Sequence, residues 1–198
     1  MQPNLVVIAG PNGAGKTSLT SKILKHKWIA DCVYINPDNI ARDTFGDWNS
    51  PVAVMQAARL STEMRENYLL HKASICFETV LSSDEKVDFI KRAKHNGYFI
   101  RLFFVGTTHP SINAARVAQR VIEGGHDVPI PKIISRYSKS IINCAILSNI
   151  VDRLYVYDNS IDFAEPILVF RAKCGTLQKI YVDIAEWSQL IFQTIQKI

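Results

Sequence analysis

The chain has 198 residues, of which 47% are hydrophobic and 21% charged. That composition fits one globular domain with a single core and excludes a disordered or low-complexity protein. No apolar run approaches the roughly 20 residues of a membrane span. The amino terminus passes straight into a strand-like run without the pattern of a secretory signal, so a cytoplasmic location is expected. A net charge of +5 and a pI of about 9.0 favour anionic partners without choosing among nucleotides, sugar phosphates and nucleic acids.

Taken in order, apolar runs alternate with segments of helical period, the signature of a mostly parallel α/β sheet. Asn4 to Ala9 is a continuous apolar run that reads as a buried central strand. A turn over Gly10 to Gly15 precedes a helix from about Lys16 to Lys27, and Cys32 to Asn36 reads as a second strand. Pro51 opens a long helix with Ala53, Ala57, Leu60, Met64 and Tyr68 on its core face. A third strand is expected over Ala73 to Glu78. Ser82 and Glu85 have the spacing of a capping box, for a helix ending near Asn96-Gly97.

Tyr98 to Val105 is the fourth strand. Helices over about Ser111 to Glu123 and Pro131 to Leu147 are separated by Gly124-Gly125, and Arg153 to Tyr157 forms the fifth strand. Hairpin strands at Ile167 to Ala172 and Gln178 to Val182 lead to a closing helix with Ile184, Trp187, Ile191 and Ile195 on one face. Cys32, Cys76, Cys144 and Cys174 form no CxxC pair and read as reduced thiols. The expected architecture is therefore a single P-loop NTPase domain over residues 1–198, α/β and adenylate-kinase-like. It has a mostly parallel five-stranded sheet flanked by helices, a helical lid over about 109–147, and a small C-terminal hairpin and helix.

Gly10-Pro11-Asn12-Gly13-Ala14-Gly15-Lys16-Thr17 is a full G-x-x-x-x-G-K-[ST] match between a predicted strand and a predicted helix. Backbone N–H groups of such a loop converge on phosphate oxygens, and the helix N-terminus adds a favourable dipole. Lys16 is assigned to the β- and γ-phosphates and the Thr17 hydroxyl to Mg²⁺, with Ser18 next in the nucleotide-binding run. The donor is ATP or GTP.

Two carboxylates fall where an acceptor would sit, beyond the carboxyl ends of strands. Asp38 follows the second strand in Ile35-Asn36-Pro37-Asp38, and Glu78 closes the third in Phe77-Glu78-Thr79. A kinase acting on an alcohol needs a carboxylate to orient the hydroxyl and accept its proton, a task that suits Asp38. Glu78 suits an Mg²⁺-bound water or a second substrate hydroxyl. The alternatives are a turn or helix cap at Asp38 and a strand-end carboxylate bonded to the next loop at Glu78.

Arg116 and Arg120 are spaced i, i+4 on one helix with Asn113 on the same polar face, and Arg136, Ser140 and Asn143 mark a polar stripe on the next. Arginines on two helices joined by a glycine hinge match what a phosphoryl-transfer lid requires, stabilising transferred charge while closure excludes water. Solvated surface arginines are the alternative. His126, in the hinge, reads as a backbone hydrogen-bonder or an acid.

These residues resemble the zeta-toxin-like P-loop kinases, in their compact branch. The resemblance is carried by the phosphate loop, by Ile35-Asn36-Pro37-Asp38, by Phe77-Glu78-Thr79-Val80-Leu81-Ser82, and by residues Arg120 to Pro129 followed by Arg136. It covers about residues 5–160. It implies ATP as donor, and an amino-sugar nucleotide such as UDP-N-acetylglucosamine as acceptor. It also implies a small antitoxin protein as partner. Carried over, Asp38 looks like the acceptor-side base, Lys16 the phosphate lysine, and Arg120 and Arg136 lid arginines on the transferred phosphate, joined by Arg116. Glu78 and Thr79 look like substrate-side residues.

The leading expectation is an ATP–Mg²⁺-dependent kinase of a small hydroxyl-bearing substrate. A polynucleotide or RNA-end kinase would need a basic path interleaved with aromatics for stacking, and no such run is visible, so nucleic acid is not an expected partner. A nucleotide-binding switch with weak hydrolysis would not need the acceptor-side carboxylates. The donor base is expected near Asp158-Asn159-Ser160.

Overall fold

Five of the six residues of β1 (Asn4–Ala9) are fully buried, as a strand hydrogen-bonded on both edges and covered on both faces must be. The structure is a computed structural model and describes residues 2–45, 50–125 and 127–196. β1 leads through the phosphate loop into α1 (Lys16–Ile23), and a 3₁₀ turn at Lys27–Ile29 precedes β2 (Val33–Ile35). Then come α2 (Pro37–Phe45), α3 (Pro51–Leu70), β3 (Ile75–Thr79), α4 (Asp84–His95) and β4 (Phe99–Gly106). The helices α5 (Pro110–Ile122) and α6 (Ile130–Leu147) are followed by β5 (Arg153–Asp158), β6 (Ile167–Lys173) and β7 (Thr176–Ile180). A 3₁₀ turn at Glu186–Ser188 and α7 (Gln189–Gln193) close the order.

The expected sheet of five strands is corrected to seven, in the order β2-β3-β1-β4-β5-β6-β7. The first five are parallel to their neighbours. The hairpin is not a separate appendage, because β6 pairs antiparallel to β5 and β7 to β6. The link over residues 159–166 is shorter than the dozen or so residues a parallel crossover needs, so β6 can join β5 only by turning back.

α3, α4, α6 and α7 cover one face of the sheet, burying Leu69, Phe89, Ile141, Cys144 and Ile191 against Leu5, Val7 and Phe104. On the other face α1 and the first 3₁₀ turn supply Leu19, Ile23 and Ile29, packed on Val6, Ile8, Phe103 and Val105. A third, small cluster of Val117, Val128 and Ile133 ties α5 to α6. All four cysteines are free, and among the described residues no helix is long and apolar enough to cross a membrane.

Several local expectations are corrected. α1 stops at Ile23, short of Lys27. The segment after β2 is helical: the Asn36 side chain accepts the Asp38 N–H at 2.8 Å, capping α2 behind Pro37 at its first position. α4 starts after Ser83, and Glu85 does not reach back as a capping-box partner because it pairs with buried Arg65 at 3.3 Å. The closing helix shrinks to the 3₁₀ turn and α7, although Trp187, Ile191 and Ile195 do share the buried face. Asn113, Ser140 and Asn143 are buried rather than on solvated faces.

Candidate active site

The phosphate loop leaves β1 at the middle of the five parallel strands and ends in the first turn of α1. Gly13 has φ +74°, and a Cβ there would lie 2.5 Å from the Asn113 carbonyl oxygen, so only glycine lets α5 approach this closely. Two asparagines brace the loop from outside. Asn113 Nδ2 donates to the Asn12 carbonyl at 2.6 Å, and Asn159 Nδ2 donates to that of Ala14 at 2.9 Å. The Thr107 hydroxyl in turn donates to Asn113 Oδ1. The loop is thus preorganised by α5 and by the start of the β5–β6 link.

Lys16 Nζ donates to the carbonyls of Gly10 at 2.9 Å and Pro11 at 3.0 Å. Burial pulls its pKa down to about 8; Glu78 and Asp38 push it back up, while Arg120 and Arg136 deepen the drop. A polyphosphate favours the charged lysine, so above about pH 8 nucleotide binding must take up a proton. ATP affinity is therefore expected to be about tenfold weaker at pH 9 than at pH 7, with Lys16→Met flattening the dependence in a calorimetric pH series.

A cavity of about 670 Å³ opens over the loop. Asn12, Gly13, Gly15, Lys16 and Thr17 line it. Gly10, Pro11 and Ala14 are buried, and Ser18 is exposed on α1; these four lie outside the lining. Asp38, Glu78, Thr79, Arg116, Arg120 and Arg136 line the same cavity, so every other candidate residue converges on one space. The Thr17 hydroxyl is exposed at the cavity and suits a cation ligand, with Glu78 on the adjacent strand.

Asp38 stands in the first turn of α2, capped by Asn36, so its carboxylate is not spent on the cap. Among the described residues no hydrogen bond engages that carboxylate. Glu78, by contrast, accepts from the Tyr34 hydroxyl at 2.6 Å, and burial together with this bond raises the Tyr34 pKa. The buried Thr79 hydroxyl accepts the Leu81 N–H at 2.9 Å, holding Leu81 at φ +58°, while Asn143 Nδ2 donates to the Leu81 carbonyl at 2.9 Å. A buried leucine in left-handed backbone costs of order 1–2 kcal/mol, a local strain that turns Ser82 toward the cavity.

The three arginines differ. Arg120 packs its stem against Gly125, where a Cβ would meet Cγ at 2.5 Å. Arg136 Nη1 lies 3.5 Å from Asn12 Oδ1, reaching the phosphate loop from α6. Arg116 pairs with Asp162 at 2.7 Å and donates to the Asn159 carbonyl at 2.8 Å, tying α5 to the segment where a donor base is expected. His126 lies outside the described residues.

The far end of the cavity was missed from sequence: Ser61, Thr62, Arg65, Ser82, Ser83 and Lys86. Arg65 is 2% exposed and lies over the rings of Phe77 and Phe89 at 5.3 and 5.7 Å. It donates to Ser61 Oγ at 3.3 Å, Thr62 Oγ1 at 2.9 Å and Glu85 Oε1 at 3.3 Å, and its Nε has no partner among the described residues. The available signal was an i+4 stripe. Ala53, Ala57, Ser61, Arg65 and Leu69 are the buried residues of α3; the apolar stripe shares the first two and from Leu60 onward runs one residue ahead of it.

A glycine-rich phosphate loop at the centre of a parallel sheet, facing arginine-bearing helices across a cavity with two carboxylates, defines a P-loop kinase fold. The chain belongs to the zeta toxin family, whose model matches residues 1–164. It is 28% identical over 137 residues to an uncharacterized protein of Haemophilus influenzae, covering 69% of this chain and 94% of that one. The AvrRxo1-ORF1:ORF2 complex with ATP has a TM-score of 0.67 at 19% identity, covering 98% of this chain, which spans 63% of the AvrRxo1 chain. A structure from the PezAT chromosomal toxin–antitoxin system of Streptococcus pneumoniae has a TM-score of 0.62 at 17% identity, covering 97% of this chain and 83% of that one.

Proposed function

We propose that this protein transfers the γ-phosphoryl group of ATP to a hydroxyl of a small, phosphate-bearing acceptor. The observation that carries the reading is the uncommitted Asp38 carboxylate facing Lys16 and the lid arginines across one cavity. In the proposed reaction the acceptor hydroxyl gives its proton to Asp38 and its oxygen bonds to the γ-phosphorus. The bond from that phosphorus to the β–γ bridging oxygen breaks, and ADP leaves. Lys16, Arg120 and Arg136 stabilise the charge on the transferred group, and α5 and α6 exclude water. The Thr17 hydroxyl would hold Mg²⁺, with Glu78 beside it on the adjacent strand, and the ion would supply positive charge to the phosphates.

The acceptor end supports a substrate with an anionic group. Lys86, burial-lowered and paired with Glu85 at 2.5 Å, stands beside Arg65, Ser82 and Ser83, where a diphosphate would find cations and hydroxyl donors. A nucleotide sugar such as UDP-N-acetylglucosamine meets that description. Lys86→Ala is then expected to raise the acceptor KM about tenfold with little change in kcat, as steady-state kinetics would show. A small antitoxin partner and a cytoplasmic location complete the reading; the AvrRxo1 and PezAT neighbours support the former.

The test is incubation with γ-labelled ATP, Mg²⁺ and a panel of nucleotide sugars, with Asp38→Ala alongside. Label on UDP-N-acetylglucosamine that vanishes in the variant is the expected result. Hydrolysis without labelled sugar would remove that acceptor, and transfer unchanged in the variant would remove Asp38 as base.

A further inference from the structure

Beyond β4, the α1 face of the sheet runs on into an open surface. Across β4 and β5 this face places Arg101 opposite Arg153 and Phe103 opposite Tyr155, and across β5 and β6 it places Arg153 opposite Lys173 and Tyr155 opposite Arg171. Arg171 in turn faces Lys179 on β7. Arg171, Lys173 and Lys179 are exposed, and Tyr155 and Tyr157 are partly so. None of the paired positions on this face of β4 to β7 carries an Asp or Glu.

The aromatics are built in. The rings of Phe103 and Tyr155 stack at 4.6 Å, and Trp28 stacks on both at 6.3 and 6.4 Å. Arg101 is held over Trp28 at 5.0 Å and Phe99 at 4.4 Å, which fixes this floor from its other edge. At the outer strand Lys179 lies over the ring of Tyr181 at 4.8 Å, and Tyr181 is 40% exposed.

We propose that this open face binds single-stranded nucleic acid, with Arg153, Arg171, Lys173 and Lys179 on phosphates and bases stacking on Tyr157 and Tyr181. A row of cations one strand apart, with no carboxylate among the paired positions and with rings interleaved on the sheet face, is the chemistry that single strands require. It does not depend on the kinase reading. The cavity opens where the strands end at the phosphate loop, whereas Arg153 and Lys173 pair at the opposite end of β5. No one segment of sequence displays the pattern, because each strand contributes at most three of its members.

The test is fluorescence anisotropy with a labelled oligouridylate of about 20 nucleotides across a salt series, beside the matching duplex. Four phosphate contacts predict a slope of about −3 in log affinity against log salt. Arg171→Glu with Lys179→Glu is expected to weaken binding at least about tenfold and to flatten the slope by more than one. Tyr181→Leu is expected to weaken binding about fivefold or more with the slope unchanged. Melting temperature and ATP binding stay at wild-type values in these variants, which sets binding loss apart from misfolding.

Absence of binding at about 50 mM salt would overturn the proposal, as would variants that bind like the wild type. Duplex bound as tightly as single strand would overturn it too. So would heparin or phosphatidylserine vesicles competing equally while Tyr181→Leu has no effect, since that pattern marks a general polyanion surface.

Discussion

Asp38→Asn is expected to reduce phosphoryl transfer by about 10²–10⁴-fold while ATP binding persists. The amide matches the carboxylate in shape but accepts no proton, and α2 keeps its start because Asn36, not Asp38, makes the cap. Asp38 also raises the Lys16 pKa, so the variant's lysine should lose its charge at a lower pH. Single-turnover transfer and ATP titration separate the two effects. Full transfer in the variant would send the base assignment elsewhere. A loss of ATP binding as large as the loss of transfer would make Asp38 a structural residue.

For Arg120→Ala the expected loss is about 10³-fold in kcat, the lower end of what a transition-state arginine supplies. Gly125 leaves the Arg120 stem room to lie against the start of the lid connection, and Arg136 arrives from α6 beside Asn12. The two guanidiniums therefore approach from different helices. Arg120→Lys should recover little activity, because an ammonium cannot span two equatorial oxygens as the planar fork does. A kcat left intact with a raised KM for ATP would reassign Arg120 to ground-state binding. Arg116 should matter less to kcat, since Asp162 and the Asn159 carbonyl already hold it.

The parts of this fold legible in the sequence are those whose cause is local. The five apolar residues of β1 and the glycines and lysine after them announce a buried strand and a phosphate loop without reference to anything distant. Asp38, Glu78 and the arginines of α5 and α6 were singled out because strand ends and helix faces limit where such groups can point, and all of them line one cavity. What escaped depends on partners far along the chain. Asn113 looks like a surface residue on α5 until the Asn12 carbonyl, 101 positions earlier, is brought to its amide. Arg65 is out of place by type at a core position, and the rings of Phe77 and Phe89, with Ser61, Thr62 and Glu85, explain it. The helix after Pro37 went unassigned in the sequence, although Asn36-Pro37 carries its capping signal.

The family match ends at residue 164, and β6 begins at Ile167. The hairpin beyond the match pairs along the whole of β5 and buries Val169 and Phe170 in the main core. Without it β5 would become the border of the sheet, displaying an unpaired row of backbone donors and acceptors beside exposed core. A chain shortened to the matched region would keep the phosphate loop, Asp38 and the lid arginines, yet carry a template for self-association. The C-terminal hairpin thus acts as a selvage: it takes no part in the chemistry and moves the border of the sheet from core-bearing β5 out to the short, largely exposed β7.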